Sequence, residues 1–193
     1  ILNHIYTNYK TDKKIFVIKR GIDTDYFSVK NVSDAEEQKL RNYLDVPHDK
    51  FLLLLPGRLT YWKGQKLFIE AINLLKSQNK FNDCFALIVG SDQGRKKYKN
   101  ELIDLVNKYN LNNFVKIAHG INKIPVAYSI SNLVISSSIE PEAFGRVSVE
   151  AQSMEKPILA SNIGGSTETI IPEKTGWLFK SESPSELANS IET

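Results

Sequence analysis

Short, unbroken apolar runs alternate with longer stretches whose apolar positions recur at helical spacing. The runs lie at 51–55, 85–89, 114–118, 133–136, 157–161 and 177–179. Helix-like segments fill 64–77, 96–109, 124–130 and 146–154, and a further helical pattern begins at Pro184. Strands that are apolar throughout, rather than at every second position, must be covered on both faces. That requirement, with the βαβ rhythm, predicts an α/β fold built on a doubly wound parallel sheet with helices on each side. Ligands of such sheets bind beyond the carboxyl ends of the strands, where loops and helix N-termini converge. The loops after Leu55, Val89, Ala118, Ser136 and Ser161 are therefore where chemistry is sought.

The chain ahead of residue 51 has a different texture. A strand-like run at 14–19 leads to a turn at Gly21, Ile22 and Asp23, then to a polar helix-like stretch over 33–44. Residues 1–45 read as an incoming linker arm and residues 46–193 as the domain proper. No internal repeat or low-complexity tract interrupts either part.

Composition narrows the function classes. The chain has 193 residues, 41% hydrophobic and 24% charged, as expected of one packed domain. Its 25 basic and 22 acidic residues leave a net charge of +3, too balanced for a broad nucleic-acid-binding field, though a local basic pocket is compatible with it. Cys84 is the one cysteine, which excludes an intramolecular disulfide and any multi-cysteine metal site, and fits a reducing, cytoplasmic setting. His4, His48 and His119 lack ligand-like spacing, so no metal site is assigned. The longest apolar run, 51–56, is far too short to span a bilayer, and the first residues lack a signal-peptide layout. The chain starts at Ile1 and stops at Thr193 within a helical pattern, which reads as a domain excised from a longer protein.

Two loops carry candidate chemistry. In the first, Glu142 and Glu150 bracket a loop-to-helix transition containing Gly145. Glycine there allows a close backbone approach, and the free N–H groups of a helix start suit a phosphate. Glu142 would sit at the helix mouth, and Glu150 about a turn inside, where a carboxylate can accept both hydrogen bonds of a diol such as ribose. Spacing alone is equally compatible with two carboxylates that simply complement the helix dipole. In the second loop, Gly57 and Arg58 are followed by Lys63 and Gly64. Arg58 as a fork and Lys63 as a compact charge can converge on one diphosphate, yet spacing alone favours an ordinary solvated loop.

Together these residues resemble a known family. Glu142 and Glu150, with seven residues between them and Phe144-Gly145 inside, match the E-x7-E signature of retaining GT-B glycosyltransferases, the group 1, family 4-like type. Gly57-Arg58 and Lys63-Gly64 after a first strand resemble that family's pyrophosphate clamp. The segment from Lys19 to Phe27 is similar to its interdomain linker, usually with Asn where Arg20 stands, and Gly164-Gly165 followed by Glu168 matches a family loop. The resemblance covers almost the whole chain. It implies a Rossmann-like doubly wound sheet forming the C-terminal half of a GT-B fold, with the N-terminal acceptor domain outside this chain.

By the same resemblance Glu150 would bind the nucleotide ribose and Glu142 the donor sugar's hydroxyls. The backbone of Ala143, Phe144 and Gly145 would face the sugar and distal phosphate, and Gly57, Gly90, His119 and Gly120 would meet the nucleotide. Glu142, Arg58 and Lys63 are the expected catalytic residues. Negative charge grows on the departing diphosphate during transfer, so stabilising it is the main task of this half. The implied partner is a nucleotide-diphosphate sugar, with an acceptor that is a glycan, a lipid or a small molecule. No cofactor or metal is expected, and no nucleic acid. Peripheral membrane association would pass through the missing domain. The fragment alone is expected to bind donor weakly and transfer nothing.

Departures accompany the matches. Glu155 and Lys156 stand before Pro157 where glycine normally closes the helix, Thr167 replaces a common proline, and Asn132 a usual aspartate. Asp23-Thr24-Asp25 spells a metal-binding D-x-D, but it precedes the sheet and reads as a turn. The run Ser136-Ser137-Ser138 reads as a polar loop. The fingerprints of dinucleotide-binding dehydrogenases, P-loop NTPases and α/β-hydrolases are missing. Two alternatives remain: another GT-B enzyme such as a nucleotide-sugar epimerase or a phosphorylase-like protein, and a non-catalytic doubly wound module. The cations after the first strand favour the transferase over a receiver-like acidic cluster.

Overall fold

The computed structural model describes residues 2–9, 13–16, 18 and 20–193. Among these residues six strands form one sheet: β1 (Phe51–Pro56), β2 (Cys84–Val89), β3 (Val115–Ala118), β4 (Leu133–Ser136), β5 (Ile158–Ser161) and β6 (Trp177–Phe179). Their spatial order is β3-β2-β1-β4-β5-β6, and every neighbouring pair is parallel. The chain winds outward in one direction from β1 through β3, then returns to β4 on the other side of β1. The doubly wound sheet expected from the apolar runs is therefore present, with its switch point between β1 and β4.

Alternation along β1 shows why its leucines are continuous. Leu53 and Leu55 enter one core with α3 (Gln65–Ser77), α4 (Lys96–Lys108) and α8 (Pro184–Glu192), while Leu52 and Leu54 enter a second core with α2 (Asp34–Leu44), α5 (Ile124–Ser129) and α6 (Arg146–Ser153). All four leucines are fully buried, so each contributes ~2 kcal/mol of apolar transfer. Among the described residues the remaining α-helices are α1 (Leu2–Tyr9) and the single turn α7 (Ser166–Thr169).

The arm departs from expectation. Within the strand expected over 14–19, Val17 and Lys19 lie outside the described residues. The others form no strand, and Phe16 and Ile18 are exposed, because a β-run needs a partner edge and no described strand pairs with this segment. The turn at Asp23 is real: its Oδ1 accepts from the N–H groups of Asp25 (3.1 Å) and Tyr26 (2.9 Å), which occupies that carboxylate locally. The helix expected over 33–44 forms with Ser33 as its N-cap and a reciprocal capping box with Glu36.

Four helices close on the same device without glycine. Asp45, Asn79, Asn110 and Glu155 each adopt positive φ just past α2, α3, α4 and α6. Around Glu155 the bonds Glu155 N–H to Gln152 O (3.0 Å) and Lys156 N–H to Ala151 O (2.9 Å) complete a Schellman closure. The left-handed cap that the missing glycine put in question is thus kept by a glutamate.

Candidate functional site

The loop after β1 and the loop after β4 meet across the switch point. Lys63 Nζ lies 2.7 Å from Glu142 Oε1, and the Ser138 hydroxyl donates to the same oxygen. Trp62 lies between the two cations of its loop: its ring is 4.6 Å from Lys63 Nζ and 5.7 Å from Arg58 Cζ. The backbones are tied as well, Ile139 N–H donating to Trp62 O at 2.8 Å. Gly64 sits so close to the second loop that a Cβ would stand 1.8 Å from Ser137 O, and its φ is +70°, so only glycine fits. The Ser137 hydroxyl donates to Gly64 O at 3.0 Å.

The serine run is therefore not a polar surface loop. Ser136, Ser137 and Ser138 are all buried; Ser137 fastens the two loops together, and Ser138 holds Glu142 within its own loop. Their polar character follows a strand in the manner of any loop, and their partners become visible only when the chain folds back.

A cleft of about 350 Å³ opens above this junction, lined by Arg58, Trp62, Arg20 and residues 140–146. It brings together Arg58, Glu142, Ala143, Phe144 and Gly145 from the expected set. Gly145 is the N-cap residue of α6, so the unpaired N–H groups of that helix start there. Gly165 N–H donates to Glu142 O at 2.7 Å, so the Gly164-Gly165 turn braces the loop from behind.

Glu150 is buried, one turn into α6, and both carboxylate oxygens are held: Arg146 Nη2 lies 2.9 Å from Oε1, and the Tyr128 hydroxyl donates to Oε2 at 2.8 Å. Burial, and then the Glu150 charge, raises the Tyr128 hydroxyl well above its usual 10, so it remains a donor. Each Glu150 oxygen keeps a lone pair for a further donor.

Gly57 and Gly90 end neighbouring strands and touch: a Cβ on Gly90 would stand 1.7 Å from Gly57 O. Gly57 also lies against the aliphatic stem of Lys63. His119 and Gly120 follow β3, two strands from the switch point, and both are exposed. Gly120 lines a separate groove of about 420 Å³ between α2 and the 121–126 segment. The cleft residues missed from sequence are Arg20, Trp62, Glu140, Pro141 and Arg146. Trp62 alone carried a local signal, an aromatic placed between two cations. No cluster of metal-ligating side chains occurs among the described residues.

The family described as Glycosyl transferases group 1 matches residues 36–193. The chain belongs to the group 1 glycosyl transferases. A glycosyltransferase from Rickettsia africae ESF-5 is 37% identical and superposes with a TM-score of 0.92, over 99% of this chain and 50% of that one. The Anabaena protein Alr3699/HepE, solved with UDP and glucose, is 32% identical with a TM-score of 0.78, over 89% of this chain and 45% of that one. A D-inositol 3-phosphate glycosyltransferase of Arthrobacter sp. (strain FB24) is 28% identical over 191 residues, 97% of this chain and 44% of the relative. This group 1 domain is thus a Rossmann-like half of a GT-B fold, and it spans about half the length of the relatives it matches.

Proposed function

We propose that this chain is the donor-binding domain of a retaining glycosyltransferase that takes its sugar from a nucleotide diphosphate. The observation that carries the reading is the meeting of Arg58, the Lys63–Glu142 pair and the start of α6 around one cleft at the switch point. Positive charge from the loop after β1 and partial charge from the start of α6 face the same volume, as a departing diphosphate requires. The complex of the Anabaena relative with UDP and glucose supports the same ligand class.

In this reading Arg58 forks onto the diphosphate, and Lys63 divides its charge between Glu142 and the phosphate. Glu142, kept in place by Lys63 and Ser138, accepts from sugar hydroxyls. Glu150, fixed by Tyr128 and Arg146, accepts from the ribose, with the backbone of Ala143, Phe144 and Gly145 against the sugar and distal phosphate. Gly57 and Gly90, at touching strand ends, leave room for the nucleotide, and His119 and Gly120 reach it from the end of β3. No metal is required, because these cations and the helix start oppose the leaving charge. The acceptor is bound by a second domain outside this chain, and retention is read from the anomeric configuration of the full-length enzyme's product.

Calorimetry of the chain with UDP, GDP and ADP, with and without magnesium, tests the reading. Arg58→Ala and Lys63→Ala are each expected to weaken the tightest of these by about 1–3 kcal/mol. Unchanged affinity in both variants would defeat it.

A further inference from the structure

Arg20 has no part in the donor contacts assigned to Arg58, Lys63, Glu142 and Glu150. It belongs to the incoming arm, yet it lines the same cleft as Arg58 and the 140–146 loop. Around that cleft, Lys63 is paired with Glu142 and Arg146 with Glu150. Among the described residues the Arg58 side chain has only the Trp62 ring, and Arg20 has no ion pair, hydrogen bond or ring contact. Two guanidinium groups from distant parts of the chain therefore enter one cleft without a carboxylate partner. Among the described residues, Glu140 is the one cleft carboxylate without a cation.

An unpaired guanidinium at a cleft wall is a fork waiting for a planar or tetrahedral anion. A diphosphate offers two such groups in series, and one fork grips one phosphate in bidentate fashion. Resting on the donor-binding reading above, we infer that Arg20 is the second guanidinium of the diphosphate site, holding one phosphate while Arg58 holds the other. The diphosphate then fastens the linker arm to the domain, because Arg20 and Arg58 belong to different segments. Lys63, already neutralised by Glu142, contributes less to the net charge of the site than either arginine. The contact is specific to a ligand with two phosphates, so it is read in the preference for nucleoside diphosphate over monophosphate.

The test measures dissociation constants of UDP, GDP and ADP and of their monophosphates for the wild-type chain, Arg20→Ala, Arg20→Lys and Arg58→Ala. Arg20→Ala is expected to lower the diphosphate-to-monophosphate preference about tenfold or more, with Arg20→Lys recovering part of it. Raising the salt concentration should shrink that difference. An unchanged preference in Arg20→Ala, while Arg58→Ala loses affinity, overturns the inference and leaves the donor-binding reading standing. Absence of diphosphate binding to the wild type overturns both, and a neutral Arg58→Ala overturns the two-arginine inference.

Discussion

The Lys63 ammonium stands 2.7 Å from Glu142 Oε1, with the two side chains only 11% and 14% exposed. This contact joins the loops after β1 and β4, so it belongs to stability as well as to the site. Removing one partner leaves the other charge poorly solvated. Lys63→Met and Glu142→Gln should each lower the unfolding free energy by about 2 kcal/mol. The double variant should lose less than the sum of the two. Urea titration of the four proteins checks both statements.

Close packing at the same junction makes Gly64 irreplaceable. Gly64→Ala puts a methyl 1.8 Å from a backbone oxygen, so the loss should exceed about 4 kcal/mol and appear as failed or unstable folding. Gly94 is the matched control, with positive φ but nothing near its Cβ. Gly94→Ala should cost only ~1 kcal/mol, the strain of the left-handed region.

Glu155 carries a conformation that glycine adopts without strain, at the closure of the helix bearing Glu150. Glu155→Gly should therefore stabilise the protein by about 1 kcal/mol. The urea midpoint should rise with an unchanged slope.

Much of the fold was legible because its strands are buried on both faces. Continuous apolar runs located all six strands, and helical spacing located α3 to α6 and α8, with ends shifted by a residue or two. Glu142, Gly145, Arg58 and Lys63 were legible because they lie in loops directly after strands, where a parallel sheet collects its ligands. Arg20 was not, since its place in the cleft depends on how the arm returns to the domain. Ser137 and Ser138 were not, because polar residues after a strand look alike whether they face water or another loop. The helix closures at Asp45, Asn79, Asn110 and Glu155 escaped a search for glycine. Phe16 and Ile18 misled in the opposite direction, since apolarity marks a strand only where an edge exists to pair with it.

Acid should loosen the contact between α2 and α5. Lys123 donates to both oxygens of Glu36, at 2.9 and 3.1 Å. That hydrogen bonding, followed by the Ser33 backbone N–H, lowers the Glu36 carboxyl from its usual 4.5 to about 2. A depressed folded-state value contributes stability above pH 4.5 that is lost as pH falls toward 2. Thermal unfolding midpoints across that window should fall less steeply for Glu36→Gln than for the parent, and coincident curves would show that Glu36 has no part in the acid sensitivity.

A diphosphate held in the β1/β4 cleft must quiet the backbone around it. Amide hydrogen exchange, with and without the tightest-binding nucleoside diphosphate, reads that effect residue by residue. New protection is expected at 58–64 and 143–147, the two loops that meet through Lys63 and Glu142. Protection confined to the groove between α2 and the 121–126 segment, with these loops unchanged, would contradict diphosphate binding at the switch point.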